Sequence, residues 1–216
     1  GLLLYHGLGS GKTCSSIAIA EGMKTSKPII VMTPASLRMN YAEELKKCGD
    51  SIYRKNQFWE FIKIDDSGEA SKELIDVLSY TLSLDVNTIK KNGGAWMVNV
   101  KRKANFEKLS PAEKKSVDTQ LNEMIRYKYR FINYNGIRMS NLKSFTKDFT
   151  INPFDNAVII IDEAHNFVSR IVNKLNRKDS LAYKLYEYMM DSDQSKYIFL
   201  TGTPIINYPN EIGILF

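Results

Sequence analysis

The chain has 216 residues, 44% of them hydrophobic, which is enough to bury a real core in one large domain or two small ones. Its two cysteines, Cys14 and Cys48, are too few for a disulfide framework or, by themselves, for a tetrahedral zinc site; no apolar run approaches the ~20 residues of a membrane span. The net charge of +6 is concentrated: residues 90–130 carry eleven Lys or Arg against four Asp or Glu, a net of +7, while the remainder is close to neutral.

In chain order, Leu2-Leu3-Leu4-Tyr5 reads as a strand and Cys14 to Ala20 as a helix. Between them lies His6-Gly7-Leu8-Gly9-Ser10-Gly11-Lys12-Thr13. A glycine-rich turn between strand and helix lets successive backbone N–H groups close around phosphate oxygens, and the helix N-terminus adds its partial positive charge. Lys12 can then neutralise the phosphates, with Gly7, Leu8, Gly9, Ser10 and Gly11 forming the cradle, and the Thr13 hydroxyl can hold Mg²⁺. One position departs from the strict phosphate-loop pattern: His6 stands where glycine is usual. The plainer alternative is a glycine-rich turn with a surface lysine.

Pro28 to Thr33 is a short, β-branched run of the kind buried on both faces of a parallel sheet. Thr33 or Ser36 can cap the next helix, with Pro34 at its first position, and Leu37, Tyr41, Leu45 and Cys48 follow at helical spacing up to Gly49. Residues 58–64 read as a strand and 70–84 as a helix. Lys90 to Gly94 reads as a turn, and Trp96 and Met97 as packing residues. Ser110-Pro111-Ala112-Glu113 has the form of a helix start with a reciprocal cap. The basic stretch suits a polyanionic partner, and equally a solvated insertion.

Arg130 to Tyr134 is a further strand candidate. Ala157-Val158-Ile159-Ile160-Ile161 ends in Asp162-Glu163-Ala164-His165. Two carboxylates directly after a buried strand are costly unless a cation meets them. Mg²⁺ beside Thr13 would do so, with Asp162 in its shell and Glu163 deprotonating the attacking water. Phe167, Ile171 and Leu175 mark a helix, Leu181 to Met189 another, and Lys196 to Leu200 a last strand ending in Thr201-Gly202-Thr203-Pro204. Alternating strands and helices imply an α/β fold: a mostly parallel sheet flanked by helices, with ligands beyond the carboxyl ends of its strands. The chain opens directly in a strand and closes on an apolar run, which raises the expectation of a fragment.

These motifs together resemble the first RecA-like lobe of a superfamily 2 helicase. Gly-Ser-Gly-Lys-Thr resembles motif I, Asp162-Glu163-Ala164-His165 a DEAH box, and Thr201-Gly202-Thr203 motif III. The stretch from Ile30 to Leu45, Asn133 to Arg138, and Leu200 to Ile205 with Asn207 and Glu211 are similar to the Swi/Snf-type branch. His6-Gly7, Glu163 to Phe167 and the basic segment look like helicase-like and early-transcription-factor ATPases of nucleocytoplasmic large DNA viruses. The resemblance implies a helicase ATP-binding lobe over residues 1–216, carrying a basic, largely helical insertion at roughly 50–130 and lacking the second lobe with its catalytic arginine. It implies ATP and Mg²⁺ as cofactors and Glu163, Lys12 and Asp162 as the catalytic set. His165, Thr201, Gly202 and Thr203 would couple nucleotide state to movement. Pro34, Ala35, Ser36 and Tyr134 would approach a nucleic acid backbone, and Lys101, Arg102 and Lys103 carry charge suited to it. DNA is the expected track rather than RNA. The further expected partners are the second lobe and an RNA polymerase or transcription-factor subunit, with no membrane. The expected location is intracellular, in the host cytoplasm or virion if the chain is viral. Two alternatives stay open: a binding module that uses ATP only structurally, and a restriction-type or repair translocase of cellular origin.

Overall fold

A computed structural model describes residues 1–5, 7, 9–23, 27–65, 69–174, 177 and 179–203. Its elements run β1 (Leu2–Tyr5), α1 (Lys12–Met23), β2 (Ile29–Thr33), α2 (Arg38–Cys48), β3 (Trp59–Lys63), α3 (Glu69–Leu82), α4 (Val86–Asn92) and β4 (Gly94–Val98). They continue with α5 (Pro111–Lys128), β5 (Tyr129–Asn133), α6 (Met139–Phe145), β6 (Val158–Ile161), α7 (Ala164–Val172), α8 (Leu181–Met190) and β7 (Lys196–Thr201). The chain forms two compact units: Gly1–Tyr41 with Tyr129–Phe216, and Ala42–Lys128.

The first unit is built on a five-stranded sheet, parallel throughout, in the order β1-β7-β6-β2-β5. Every residue of β2 and β6 is buried, as strands covered on both faces must be, and both are continuous apolar or β-branched runs. On one face Ile30, Met32, Ile132, Ile159 and Ile161 meet Phe167, Val168 and Ile171 of α7 and Leu185 and Met189 of α8. The helix α1 packs against β6 and β7, burying Ile17 and Ala20. Parallel pairing puts the carboxyl ends of all five strands on one edge, so Lys12, Asp162 and Thr201, which end or follow β1, β6 and β7, start from the same side of the sheet.

The strands expected from the sequence form within a residue or two of their predicted limits. Elsewhere the structure differs. The segment after β2 opens with a single 3₁₀ turn, Ala35–Leu37, that has no side-chain cap. Thr33 instead donates to the Pro34 carbonyl (3.3 Å). Lys90 to Asn92, read as a turn, are the last turn of α4, which Gly93 ends in the left-handed conformation (φ 66°). The strand β4 and the helix α6 have no strong periodic signal, being only 5 and 7 residues long. Leu175 and Pro204, together with Ile205, Asn207 and Glu211, lie outside the described residues.

In the second unit β3 pairs antiparallel with β4, setting Phe61 edge-on to Trp96. Gln120 of α5 takes both backbone groups of Trp96: its Oε1 accepts from the Trp96 N–H and its Nε2 donates to the Trp96 carbonyl, each at 2.8 Å. The reciprocal cap of α5 forms as its sequence predicts, with Ser110 N–H donating to Glu113 Oε2 (2.8 Å) and Glu113 N–H to Ser110 Oγ (3.3 Å). Among the described residues no helix is long and apolar enough to cross a membrane.

Candidate active site

The glycine-rich turn leaves β1 and enters α1. Gly9 (φ 76°) and Gly11 (φ 82°) both adopt left-handed backbone that only glycine takes readily, and a Cβ on either would meet nothing within 4 Å. It is therefore the backbone path, not crowding, that requires glycine here. Ser10 Oγ and Lys12 Nζ both donate to the Gly7 carbonyl, at 2.7 and 3.0 Å. His6 and Leu8 lie outside the described residues.

At the end of β6 the Asp162 N–H donates to the Met32 carbonyl (2.8 Å), prolonging the sheet by one bond. Glu163 follows in the left-handed region (φ 48°, ψ 51°) as the cap residue of α7. A non-glycine residue in that region is strained, and such strain persists only where its surroundings over-determine it. Glu163 N–H donates to Asp162 Oδ1 (3.0 Å). Burial, and then the negative charge of Glu163, push the Asp162 carboxyl up to about 6; the Glu163 N–H and the Lys12 ammonium pull the other way. The glycine-rich turn, which follows β1, and the acidic pair, which follows β6, both lie at the carboxyl edge of the parallel sheet. The Asp162 carboxylate is an oxygen donor of the kind that hard divalent cations take.

His165 joins this pair to the end of β7. Its Nδ1 lies 2.8 Å from Thr201 Oγ1, 3.2 Å from Thr203 Oγ1 and 3.4 Å from Glu163 Oε2. Thr201 Oγ1 already donates to the Thr203 carbonyl (2.8 Å) and accepts from the Thr203 N–H (3.0 Å), so His165 Nδ1–H is the donor to it. Gly202 sits in the bend between the two threonines.

Tyr134 corrects the sequence reading. It is 2% exposed, so its side chain faces the core and not a nucleic acid backbone. Its hydroxyl donates to the carbonyls of Asp162 (3.0 Å) and Glu163 (3.1 Å). Burial and the neighbouring Asp162 and Glu163 carboxylates raise its pKa far above the ordinary tyrosine value, which keeps the proton in place. Pro34 is buried too, whereas Ala35 and Ser36 are exposed. Pro34, Ser36 and Leu37 line an open cleft of about 680 Å³ with Asn135, Glu163, Asn166, Ser169 and Arg170. The sequence reading missed the last three, although Glu163, Asn166 and Arg170 at i, i+3 and i+7 mark one helix face.

Lys101, Arg102 and Lys103 belong to the second unit, on the loop after β4. Arg102 is engaged there: its guanidinium stacks 4.5 Å from the Phe58 ring and Nη1 donates to Glu60 Oε1 (2.9 Å). Lys101 and Lys103 are exposed.

Residues 1–206 match the family model described as the type III restriction enzyme, res subunit. The chain belongs to this family. It is an N-terminal RecA-like lobe of the superfamily 2 helicase kind, as the parallel sheet with its phosphate-loop turn and acidic pair also indicates. A putative ATP-dependent RNA helicase of Acanthamoeba polyphaga mimivirus is 28% identical over 216 residues, 99% of this chain and 28% of its own length. The termination factor NPH-I homolog of African swine fever virus is 24% identical over 212 residues, 98% of this chain and 21% of its own. The chain thus spans between a fifth and a third of the length of these two relatives. Among solved structures, the SWI2/SNF2 ATPase core of Sulfolobus solfataricus in complex with dsDNA aligns with a TM-score of 0.43 at 17% identity, covering 94% of this chain and 28% of that one. The Hef helicase domain of Pyrococcus furiosus aligns at 0.45 and 16%, covering all of this chain and 32% of that one.

Proposed function

We propose that this lobe binds ATP with Mg²⁺ and, within a longer protein, forms the catalytic half of a nucleic-acid-dependent ATPase of the DEAH-box type. The observation that supports this reading is the parallel sheet itself, which sets the glycine-rich turn after β1 and the Asp162–Glu163 pair after β6 at one edge. The residues present fit the ligands: two left-handed glycines with open space above them offer backbone N–H groups to phosphates, and the Thr13 hydroxyl and Asp162 carboxylate are oxygen donors suited to Mg²⁺. Gly7 to Gly11 would cradle the phosphates and Lys12 would leave the Gly7 carbonyl to neutralise them. Thr13 and Asp162 would hold Mg²⁺, which when bound offsets charge building on the phosphates. Glu163 is the base for the attacking water, and its carboxylate lies against His165. Through His165, Thr201 and Thr203 register the state of Glu163 and pass it to the segment after β7.

Ala35, Ser36 and the cleft they border would take a nucleic acid backbone, contacts that position a strand without reading its sequence. Lys101 and Lys103 add sequence-independent charge. Residues of roughly 50–130 act as an insertion in the lobe, and a second lobe supplies the arginine that completes the site, so these 216 residues alone bind ATP with little turnover. The names of the relatives support a viral protein, and one of them, a termination factor, supports a role in transcription; a DNA track, a place in the host cytoplasm or virion and an RNA polymerase or transcription-factor subunit beside it complete the proposal. The alternative, a module using ATP only structurally, gives no reason to keep both Lys12 and Glu163.

The test is ATP hydrolysis by the full-length protein with and without DNA. DNA should stimulate it, and Glu163→Gln should lower turnover by roughly 10²-fold or more while ATP still binds. Absence of stimulation together with full activity in Glu163→Gln would sink the reading.

A further inference from the structure

The strained residue in the candidate site is the one on which hydrolysis would depend. Glu163 occupies left-handed backbone, and three bonds define its surroundings: its N–H is held by Asp162 Oδ1, its carbonyl accepts from Asn166 N–H (2.9 Å), and that same carbonyl accepts from the Tyr134 hydroxyl. Only the last comes from a distant part of the chain. The tyrosine is itself fixed on three sides. Its ring packs against Phe167 of α7 at 5.3 Å between centroids, its backbone follows β5, and its carbonyl accepts from Arg170 Nη1 (3.1 Å). Arg170 and Asn135, on either side of that contact, both line the cleft that Glu163 also lines.

We propose that Tyr134 is a positioning residue: by donating to the Asp162 and Glu163 carbonyls it holds the Glu163 peptide in its strained conformation and so sets where the carboxylate points. This rests on the ATPase reading of the site and adds a residue to it. A single hydroxyl bridging two consecutive carbonyls fixes the rotation of the peptide between them, which is the torsion that the left-handed conformation would otherwise relax. Without it, Glu163 can return to an ordinary backbone region and swing its carboxylate away from the glycine-rich turn. Because Arg170 holds the tyrosine's own carbonyl from the cleft side, a strand seated in the cleft would act on the same clamp.

Tyr134→Phe in the full-length protein removes the hydroxyl and keeps the ring against Phe167. The expected result is a fall in kcat of between about tenfold and a hundredfold, the range for a small misplacement of a catalytic group, with KM for ATP unchanged. Amide hydrogen exchange at Glu163 to Asn166 should quicken. Arg170→Gln, assayed without nucleic acid, should show the same split to a smaller degree, and it probes the clamp from the exposed side should the tyrosine variant fold poorly. Parent-level kcat in both variants, with activity lost in Glu163→Gln, overturns this inference and leaves the ATPase reading standing. Parent-level activity in Glu163→Gln as well overturns the ATPase reading itself. If the protein hydrolyses no ATP, unchanged exchange at the Glu163 turn in Tyr134→Phe overturns the clamp.

Discussion

At the scale of single residues, His165 and Thr201 show how a few polar atoms link two motifs far apart in sequence. Thr201 is fully buried, and its hydroxyl serves the Thr203 carbonyl, the Thr203 N–H and His165 together. Thr201→Val keeps the shape and removes all three bonds. The cost should be about 1–3 kcal/mol, the penalty for leaving buried polar groups unpaired, measured by urea denaturation. ATP should still bind, but stimulation by DNA should fall, since His165 would lose its tie to β7. Lys12→Ala should weaken ATP binding and abolish turnover, because the phosphates lose their positive partner; retained affinity in a nucleotide titration would remove Lys12 from the site.

At the scale of elements, the second unit is held by charge as well as by its core. Glu43 and Lys46 of α2, Lys55 beyond it and Asp118 of α5 form a closed ring of four ion pairs between 2.7 and 3.0 Å. The Lys46 side chain is 1% exposed and its ammonium meets both Glu43 and Asp118. Burial works to raise the Glu43 and Asp118 carboxyls, but the hydrogen bonds from Lys46 and Lys55 outweigh it and hold both below their ordinary range. A depressed carboxyl stabilises the fold above its unfolded pKa, and that contribution disappears as pH falls through the folded value. Stability should therefore drop below about pH 4, the ordinary carboxylate range, and Lys46→Met should flatten that drop in denaturation curves taken across pH. Removing the α5 cap with Ser110→Ala should cost about 1 kcal/mol, read by the same urea method. These elements were unequally legible. The cap of α5 is written in four adjacent residues, whereas β4 forms by pairing with the distant β3 and is tied at Trp96 to Gln120, 24 positions away.

At the scale of the whole molecule, the basic excess lies between residues 90 and 130, almost all of it in the second unit. Not all of that charge is available. Arg102 is stacked on Phe58 and paired with Glu60, and Lys114 is paired with Glu107, while Lys101 and Lys103 stand exposed. Replacing Lys101 and Lys103 together by Ala should lower DNA affinity and reduce the slope of log affinity against log salt by roughly 2, about one for each phosphate no longer neutralised. Fluorescence anisotropy over a salt series checks it; an unchanged slope would mean that the two lysines are only solvated.

The sequence by itself determined the parallel sheet, the glycine-rich turn and the acidic pair. Each is local: buried β-branched runs, glycines required by backbone path, and two carboxylates directly after an apolar strand are all legible within about ten residues. The tertiary structure alone decided what joins them. That the Lys12 turn and Asp162 come to one edge, that His165 reaches Thr201 and Thr203, and that Tyr134 turns inward to the Glu163 peptide all depend on the parallel sheet β1-β7-β6-β2-β5, which brings distant segments together. Residue spacing carries no record of such contacts, because long-range pairing is set by packing on both faces of the sheet. Tyr134 is the plainest case: its sequence neighbours mark a strand end, and only its burial and its two carbonyl partners give it a role.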